Sequence, residues 1–389
     1  MSGRSAVHAA WWFAIGVAAW ASPVGGWAEV VSPTRDSEVV EVLPSGGAGA
    51  EERRLRRLWV NQPADAVTAV SLARRYLSRA REQGDPRHAG QALAVLQHWP
   101  DARTAPDEVL LLQATLQQYL HEFNVSAGHL EMLVARRPEH AQAWLTLATV
   151  RRVQGRYADS DAACRGLQAA GVRLESQACL AENLSLRGDF DAARNSLRQL
   201  LAAPRLPAST RSWLLTTLAE VEQRAGRPDI AESTFKQALA VESGGYTLLT
   251  YTDFLMDLQR DAEALALLTP QPRTDAVLLR LAIAGMRLKS PGAAADARQV
   301  RDTIAQANLR PDARGTHARE QAMFALEVEA MPVAALVLAR ENVLRQREPL
   351  DLLVLARAAR AAGDQIAIRE VDQLRREMGL RDRRLDALL

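Results

Sequence analysis

A short motif returns along this chain: a glycine, polar residues, then an alanine-bearing amphipathic stretch. It reads "GRYADS" at 155–160, "GDFDAA" at 188–193, "GRPDIA" at 226–231 and "GDQIAI" at 363–368. His121 occupies the equivalent slot upstream, so the first marks are spaced by 34, 33 and 38 residues. Nothing else in the sequence constrains the fold as much. A unit of that length holds two helices, cannot bury its apolar face alone, and becomes stable by stacking on its neighbours. From Glu51 onward apolar residues recur at three- and four-residue spacing, interrupted by Gly, Pro or Asp/Asn turns. Glycine is expected where the first helix ends, because the chain must turn left-handed there without a Cβ penalty. The alanines let the paired helices approach; a larger side chain would overpack by about 1–3 kcal/mol.

Composition agrees with helices. The chain of 389 residues is too long for one ordinary core unless it is a repeat array. Its 48% hydrophobic share is dominated by Leu and Ala, the strong helix formers, and aromatics contribute only 5%. The 48 basic and 46 acidic residues are interleaved, with no basic stripe carrying aromatics, which argues against a nucleic-acid partner.

The residues around the marks resemble the tetratricopeptide repeat, a helix–turn–helix unit of 34 residues. One unit carries Trp144, Leu147, Ala148, Gly155 and Tyr157, with Pro138 closing the unit before it. The next carries Leu180, Ala181, Gly188, Phe190, Ala193 and Leu197, and a third Leu218, Ala219, Gly226, Ala231, Phe235 and Ala238. An earlier unit has Ala114, Phe123 and Leu130. Ser126 and Ser160 replace the small alanine of the second helix, and Pro228 replaces an aromatic. The resemblance implies an all-α, right-handed superhelical solenoid of eight or nine units over residues 51–389. It also implies a concave groove lined by the first helices. The stretch 289–317 has the wrong spacing for a standard unit and predicts a lengthened helix or an insertion, and 364–389 reads as a charged C-terminal capping helix.

The first 28 residues have the layout of a secretory signal: Arg4, an apolar run from Ala9 to Ala21, then small residues allowing cleavage after Ala21 or Ala28. The run is too short to span a bilayer. Residues 29–50, rich in Pro, Gly and Ser around "EVVEVLP", read as a flexible arm. The expectation is an exported, periplasmic or otherwise extracytoplasmic chain, soluble once the leader is removed.

Catalytic motifs are missing: no phosphate-binding Gly loop, no nucleophile elbow and no paired-His zinc helix. His121, Glu122, His129 and His140 have the wrong spacing for a metal site on one helix, and His317 with Glu320 reads as a solvated helix start. No metal or cofactor is expected, and the chain reads as non-catalytic. Asn124-Val125-Ser126 and Asn183-Leu184-Ser185 match glycosylation acceptors, a pattern common by chance.

The groove positions of the first helices are Glu108, Leu111, Leu112 and Tyr119, then Gln142, Leu145, Thr149 and Arg152. They continue with Glu175, Ala178, Cys179 and Glu182, and end with Trp213, Thr216, Glu220 and Gln223. This mixture suits a protein or peptide partner from the cell envelope, with some basic character. The alternative is a solute- or polysaccharide-binding helper in envelope export, which the scarcity of groove aromatics disfavours. Trp213 is the aromatic most suited to a hot spot. Cys164 and Cys179, the only cysteines, are a possible disulfide in an oxidising compartment. Divergent side-chain directions on neighbouring helices favour free thiols.

Overall fold

The computed structural model describes residue 35 and residues 47–83, 85–309 and 317–389. The leader, and the arm apart from residues 35 and 47–50, lie outside the described residues. The chain divides into residues 1–50 and the unit Glu51–Leu389, which carries the repeats. The described residues form helices and no strand. Helix α1 (Gly47–Asn61) begins inside the stretch expected to be an arm, a small correction at its boundary.

Nine helical hairpins follow among the described residues. They are α2 (Ala66–Gln83) with α3 (Pro86–Val95), α4 (Asp107–Tyr119) with α5 (Phe123–Arg136), and α6 (Ala141–Val153) with α7 (Tyr157–Ala169). Next come α8 (Arg173–Leu186) with α9 (Phe190–Leu201), α10 (Ala208–Arg224) with α11 (Pro228–Val241), and α12 (Gly245–Asp257) with α13 (Asp261–Leu268). The last three are α14 (Asp275–Leu288) with α15 (Ala293–Asn308), α16 (Ala318–Glu327) with α17 (Pro332–Val343), and α18 (Pro349–Ala362) with α19 (Gln365–Met378). A short α20 (Arg383–Asp386) ends the chain. Each first helix also packs on the next first helix, so the hairpins stack into an all-α solenoid.

The turns explain the recurring glycine. Positive φ occurs at Gly155, Gly188, Gly226 and Gly363, and equally at His121, Gln259, Lys289 and Ala330 in the corresponding turns. Apart from the Ala330 turn, where Met331 N reaches one residue further back to Ala325 O, each turn closes with the same backbone bond, for instance Asp189 N to Leu184 O at 3.0 Å and Arg260 N to Leu255 O at 2.9 Å. This is the six-to-one bond of a left-handed helix cap. A non-glycine residue there carries a local penalty of about 1–2 kcal/mol, so four turns depend on hairpin packing to hold them.

The departures from the repeat pattern have a structural reason. Ser126 Oγ donates to Ala114 O and Ser160 Oγ to Ala148 O, both at 2.8 Å, across the two helices of a hairpin. A buried hydroxyl that finds a carbonyl costs little, so serine substitutes for alanine at the closest approach. Trp144 lies flat against Gly166, where a Cβ would sit 2.5 Å from the indole. Its Nε1 donates to Pro138 O at 2.8 Å.

Within 289–317, α15 is a 16-residue helix, and residues 310–316 lie outside the described set. The expected capping helix 364–389 is corrected. It breaks at Gly379, whose φ is 70°, into α19 and α20. The end is not a wet cap, since Leu380, Asp382 and Leu385 are buried. The two leucines belong to a core that joins α16–α20 to Tyr157 and Leu186, far back in the array. Arg347 N donates to Val153 O at 2.6 Å and Arg381 N to Leu186 O at 2.8 Å. The solenoid therefore curls until its last hairpins meet the turns of its middle ones.

Candidate functional site

The first helices place side chains on the inner face at similar heights, because each stacks on the next in the same register. The result is a ladder of polar links from repeat to repeat. Arg74 pairs with Glu108. Tyr119 Oη donates to Ala80 O at 2.9 Å. Arg152 Nε lies 3.1 Å from Glu182 Oε1. Arg224 Nη2 donates to Ser185 Oγ at 2.8 Å, and Tyr246 Oη donates to Glu220 Oε1 at 2.8 Å. Gln223 Nε2 approaches Asp257 Oδ2 at 3.4 Å.

Electrostatics single out the middle of this ladder. Burial raises the Glu220 carboxyl to about 7, with the Glu182 and Glu348 carboxylates adding to the effect and Arg224 opposing it. Tyr246 keeps 63% of its surface open to water, yet its phenol is raised well above the ordinary value, first by the charge of Glu220 and then by desolvation. Tyr157 Oη and Arg224 Nε, beside this cluster, are buried without a hydrogen-bond partner among the described residues.

The expected groove residues divide into two sets. Glu108 and Gln142 are exposed, and Tyr119, Thr149, Arg152, Glu182 and Glu220 are half-buried on the inner face. Leu112, Thr216 and Gln223 are buried between neighbouring first helices; Thr216 Oγ1 bonds Ser212 O and Thr247 Oγ1. Leu111, Ala178 and Cys179 are buried too, whereas Leu145 and Glu175 are half-buried. Trp213 is half-buried and packs against the cluster of Leu197, Leu214 and Leu218. The reason is geometric. A first helix is flanked by helices on both sides, leaving only a narrow stripe for the groove. Sequence reasoning missed Tyr246, because Gly244 and Gly245 obscure the helix start that fixes its register.

Other expectations are also corrected. Cys164 and Cys179 form a disulfide between α7 and α8, with Cα atoms 6.0 Å apart. The side chains converge because the link between these helices spans only residues 170–172. His317 and Glu320 are not a solvated helix start. The His317 ring lies 6.0 Å from that of His121, and Glu320 Oε2 is buried. Desolvation lowers the His121 pKa, partly countered by Glu320. His140 caps α6 by accepting from Ala143 N at 3.3 Å, away from any cluster. No group of three or more His, Cys, Asp or Glu capable of holding a metal occurs among the described residues. Nor is any described helix long and apolar enough to cross a membrane.

No family model matches the chain. No curated protein matches it. Solved structures do. A Rap protein complexed with competence and sporulation factor aligns with a TM-score of 0.50 at 12% identity, over 81% of this chain and 94% of that one. A tetratricopeptide repeat protein from Parabacteroides merdae aligns with a TM-score of 0.49 at 15% identity, over 61% of this chain and 92% of the other. A thermophilic tetratricopeptide repeat protein from Thermus thermophilus aligns with a TM-score of 0.37 at 19% identity, over 53% and 99%. The repeated hairpins and their left-handed turns define the class. The chain is a tetratricopeptide-like, all-α repeat solenoid.

Proposed function

We propose that this chain is a non-catalytic scaffold that holds a peptide segment of a partner protein along the inner faces of its first helices. The observation carrying the reading is the ladder Arg152–Glu182, Ser185–Arg224 and Glu220–Tyr246, which runs continuously across four repeats. Such a track offers paired donors and acceptors at one spacing per repeat, a pattern matched by an extended chain. The solved Rap structure, complexed with competence and sporulation factor, is a solenoid of similar fold that holds another molecule. Glu220 adds a preference. Held near neutrality by burial, it ionises fully when a cationic side chain arrives, which favours a basic residue at that point.

Export is part of the same proposal. The leader in residues 1–28 supports it, and the Cys164–Cys179 disulfide suits an oxidising envelope. The partner would then be an envelope protein.

The test is affinity capture from native envelope extract with the chain beginning at Glu29, beside a variant carrying Glu182→Lys and Glu220→Arg. A single dominant protein retained by the natural chain and lost from the variant supports the reading. Identical captures overturn it and move attention to the outer face. Retention of a polysaccharide in place of a protein would favour the solute-binding alternative.

A further inference from the structure

The rim where the first helices end carries a feature that the inner face does not explain. Helices α6, α8, α10 and α12 finish side by side at Val153, Leu186, Arg224 and Asp257. A helix C-terminus exposes carbonyls without intrahelical partners and carries a partial negative charge. Four in a row make a graded, acceptor-rich strip. The chain lays one of its own segments along it. Met378 rests on Gly155, the aliphatic stem of Arg381 on Gly188, and that of Arg383 on Gly226. Arg384 Nη1 reaches Asp257 Oδ2 at 3.2 Å. Successive contacts thus advance by one repeat for every one to three residues of the segment. Backbone joins side chain in this recognition, since Arg381 N donates to Leu186 O at 2.8 Å.

The glycines acquire a second role here. A Cβ at Gly155, Gly188 or Gly226 would lie 2.9 Å, 2.8 Å or 3.2 Å from Met378, Arg381 or Arg383. The three glycine turns of the middle repeats are the ones the segment crosses. At Gly363 a Cβ would meet nothing. The segment is built to be separable: Gly379 ends α19 with φ 70°, and the short helix beyond it is capped by its own Asp382. It is held by Arg384, by the buried Leu380 and Leu385, by the Arg381 amide, by Leu388 O accepting from Arg360 Nη1 at 2.9 Å, and by an ion pair of Arg375 with Asp386 at 3.0 Å.

We propose that this rim is a docking surface for an arginine-bearing segment that closes in a helical turn, and that residues 379–389 are its occupant in cis, a detachable strap. The surface reads a basic residue over the ends of α8, α10 and α12 and a leucine in the core behind, with Met378 of α19 seating the segment's start at the end of α6. The proposal concerns the rim, which meets the inner face at Asp257 and does not rest on the inner-face reading.

The test uses the full chain and a fluorescein-labelled synthetic peptide of residues 379–389, followed by anisotropy. In the natural chain the rim is filled, and a strap bound about 99% of the time weakens the peptide about 100-fold. A variant with Arg384→Glu and Leu385→Asp frees the rim without touching it, and binds the peptide measurably. Adding Asp257→Lys to that variant weakens the peptide about tenfold or more, the loss of a close charge pair made repulsive. Three results overturn the proposal: a helical released variant that binds no peptide, equal binding by natural and released chains, or equal binding of a scrambled peptide of the same composition. Should the released variant unfold, hydrogen exchange of the natural chain decides. Exchange of the Arg381 amide about tenfold or more faster than that of Ala356, deep in α18, supports a detachable strap. Equal rates, meaning opening only by global unfolding, overturn it.

Discussion

Single residues already carry testable consequences. Ala330 turns left-handed at φ 52° with its side chain exposed, so Ala330→Gly removes strain and sacrifices no contact. Thermal denaturation should show a gain of about 0.5–1 kcal/mol, the strain relieved less the entropy glycine adds to the unfolded chain. Gly188→Ala should do the reverse and lose about 1–3 kcal/mol, because it meets both a left-handed backbone and Arg381. Glu220 gives a pH signature. Its folded pKa lies above the unfolded value, so its contribution to stability is complete below about 4.5 and is lost as pH rises towards about 7. His121 acts oppositely: its lowered pKa means stability is lost as pH falls below the unfolded value of about 6.5. Denaturant titrations across this range should therefore show Glu220→Gln flattening the decline between about pH 5 and 7, and His121→Asn flattening the loss on its acid side.

Among elements, the link between α7 and α8 and that between α9 and α10 stand out. The Cys164–Cys179 disulfide closes a loop of 15 residues across the first of these. Replacing both cysteines by serine should cost about 2–4 kcal/mol, read from the denaturation midpoint with and without reductant. Between α9 and α10, Arg194 and Glu222 form a buried pair, with Nη2 to Oε2 at 2.9 Å and Glu222 fully buried. Glu222→Gln leaves Asp191 as the only carboxylate partner of the Arg194 guanidinium and should destabilise by about 1.5–3 kcal/mol. Replacing both partners by leucine and methionine should recover most of that loss, since the pair's desolvation cost disappears with it.

The hairpins themselves were legible in the sequence wherever glycine marked the turn. Gln259, Lys289 and Ala330 hid theirs, because a backbone closed by a bond reaching back five or six residues holds a left-handed residue that no propensity forecasts. Of the candidate site, the charged positions Arg152, Glu182 and Glu220 were readable from helix register. Leu112 and Thr216 were misplaced, because register alone does not tell the groove stripe from the adjacent seam between first helices. The disulfide was misjudged for a similar reason: the short link at 170–172 sets how two neighbouring helices face, and no periodicity reports it.

For the whole molecule, closure changes how stability is shared. An open repeat array behaves as a row of nearest-neighbour terms. Here the last hairpins and strap bond to the middle ones, so damage at one end should be felt far away. Leu385→Ala, in a fully buried site, should cost about 2–5 kcal/mol. Hydrogen exchange should show faster amides at the ends of α6 and α8 as well as in α20; faster exchange confined to α20 would mean that the closure is energetically idle. None of this long-range pairing could be read from the sequence, because the partners stand nearly two hundred residues apart and share no common motif.

That separation bears on the order of events when the chain is made. A polypeptide emerging N-terminus first presents the carbonyls of Val153 and Leu186 long before the amides of Arg347 and Arg381 that satisfy them. The middle repeats can stack early, yet their helix ends stay capped by water until the final hairpin arrives. Closure thus waits on residues synthesised nearly two hundred positions later, and a chain lacking Arg381 carries an open seam at the end of α8 that quality-control machinery could recognise.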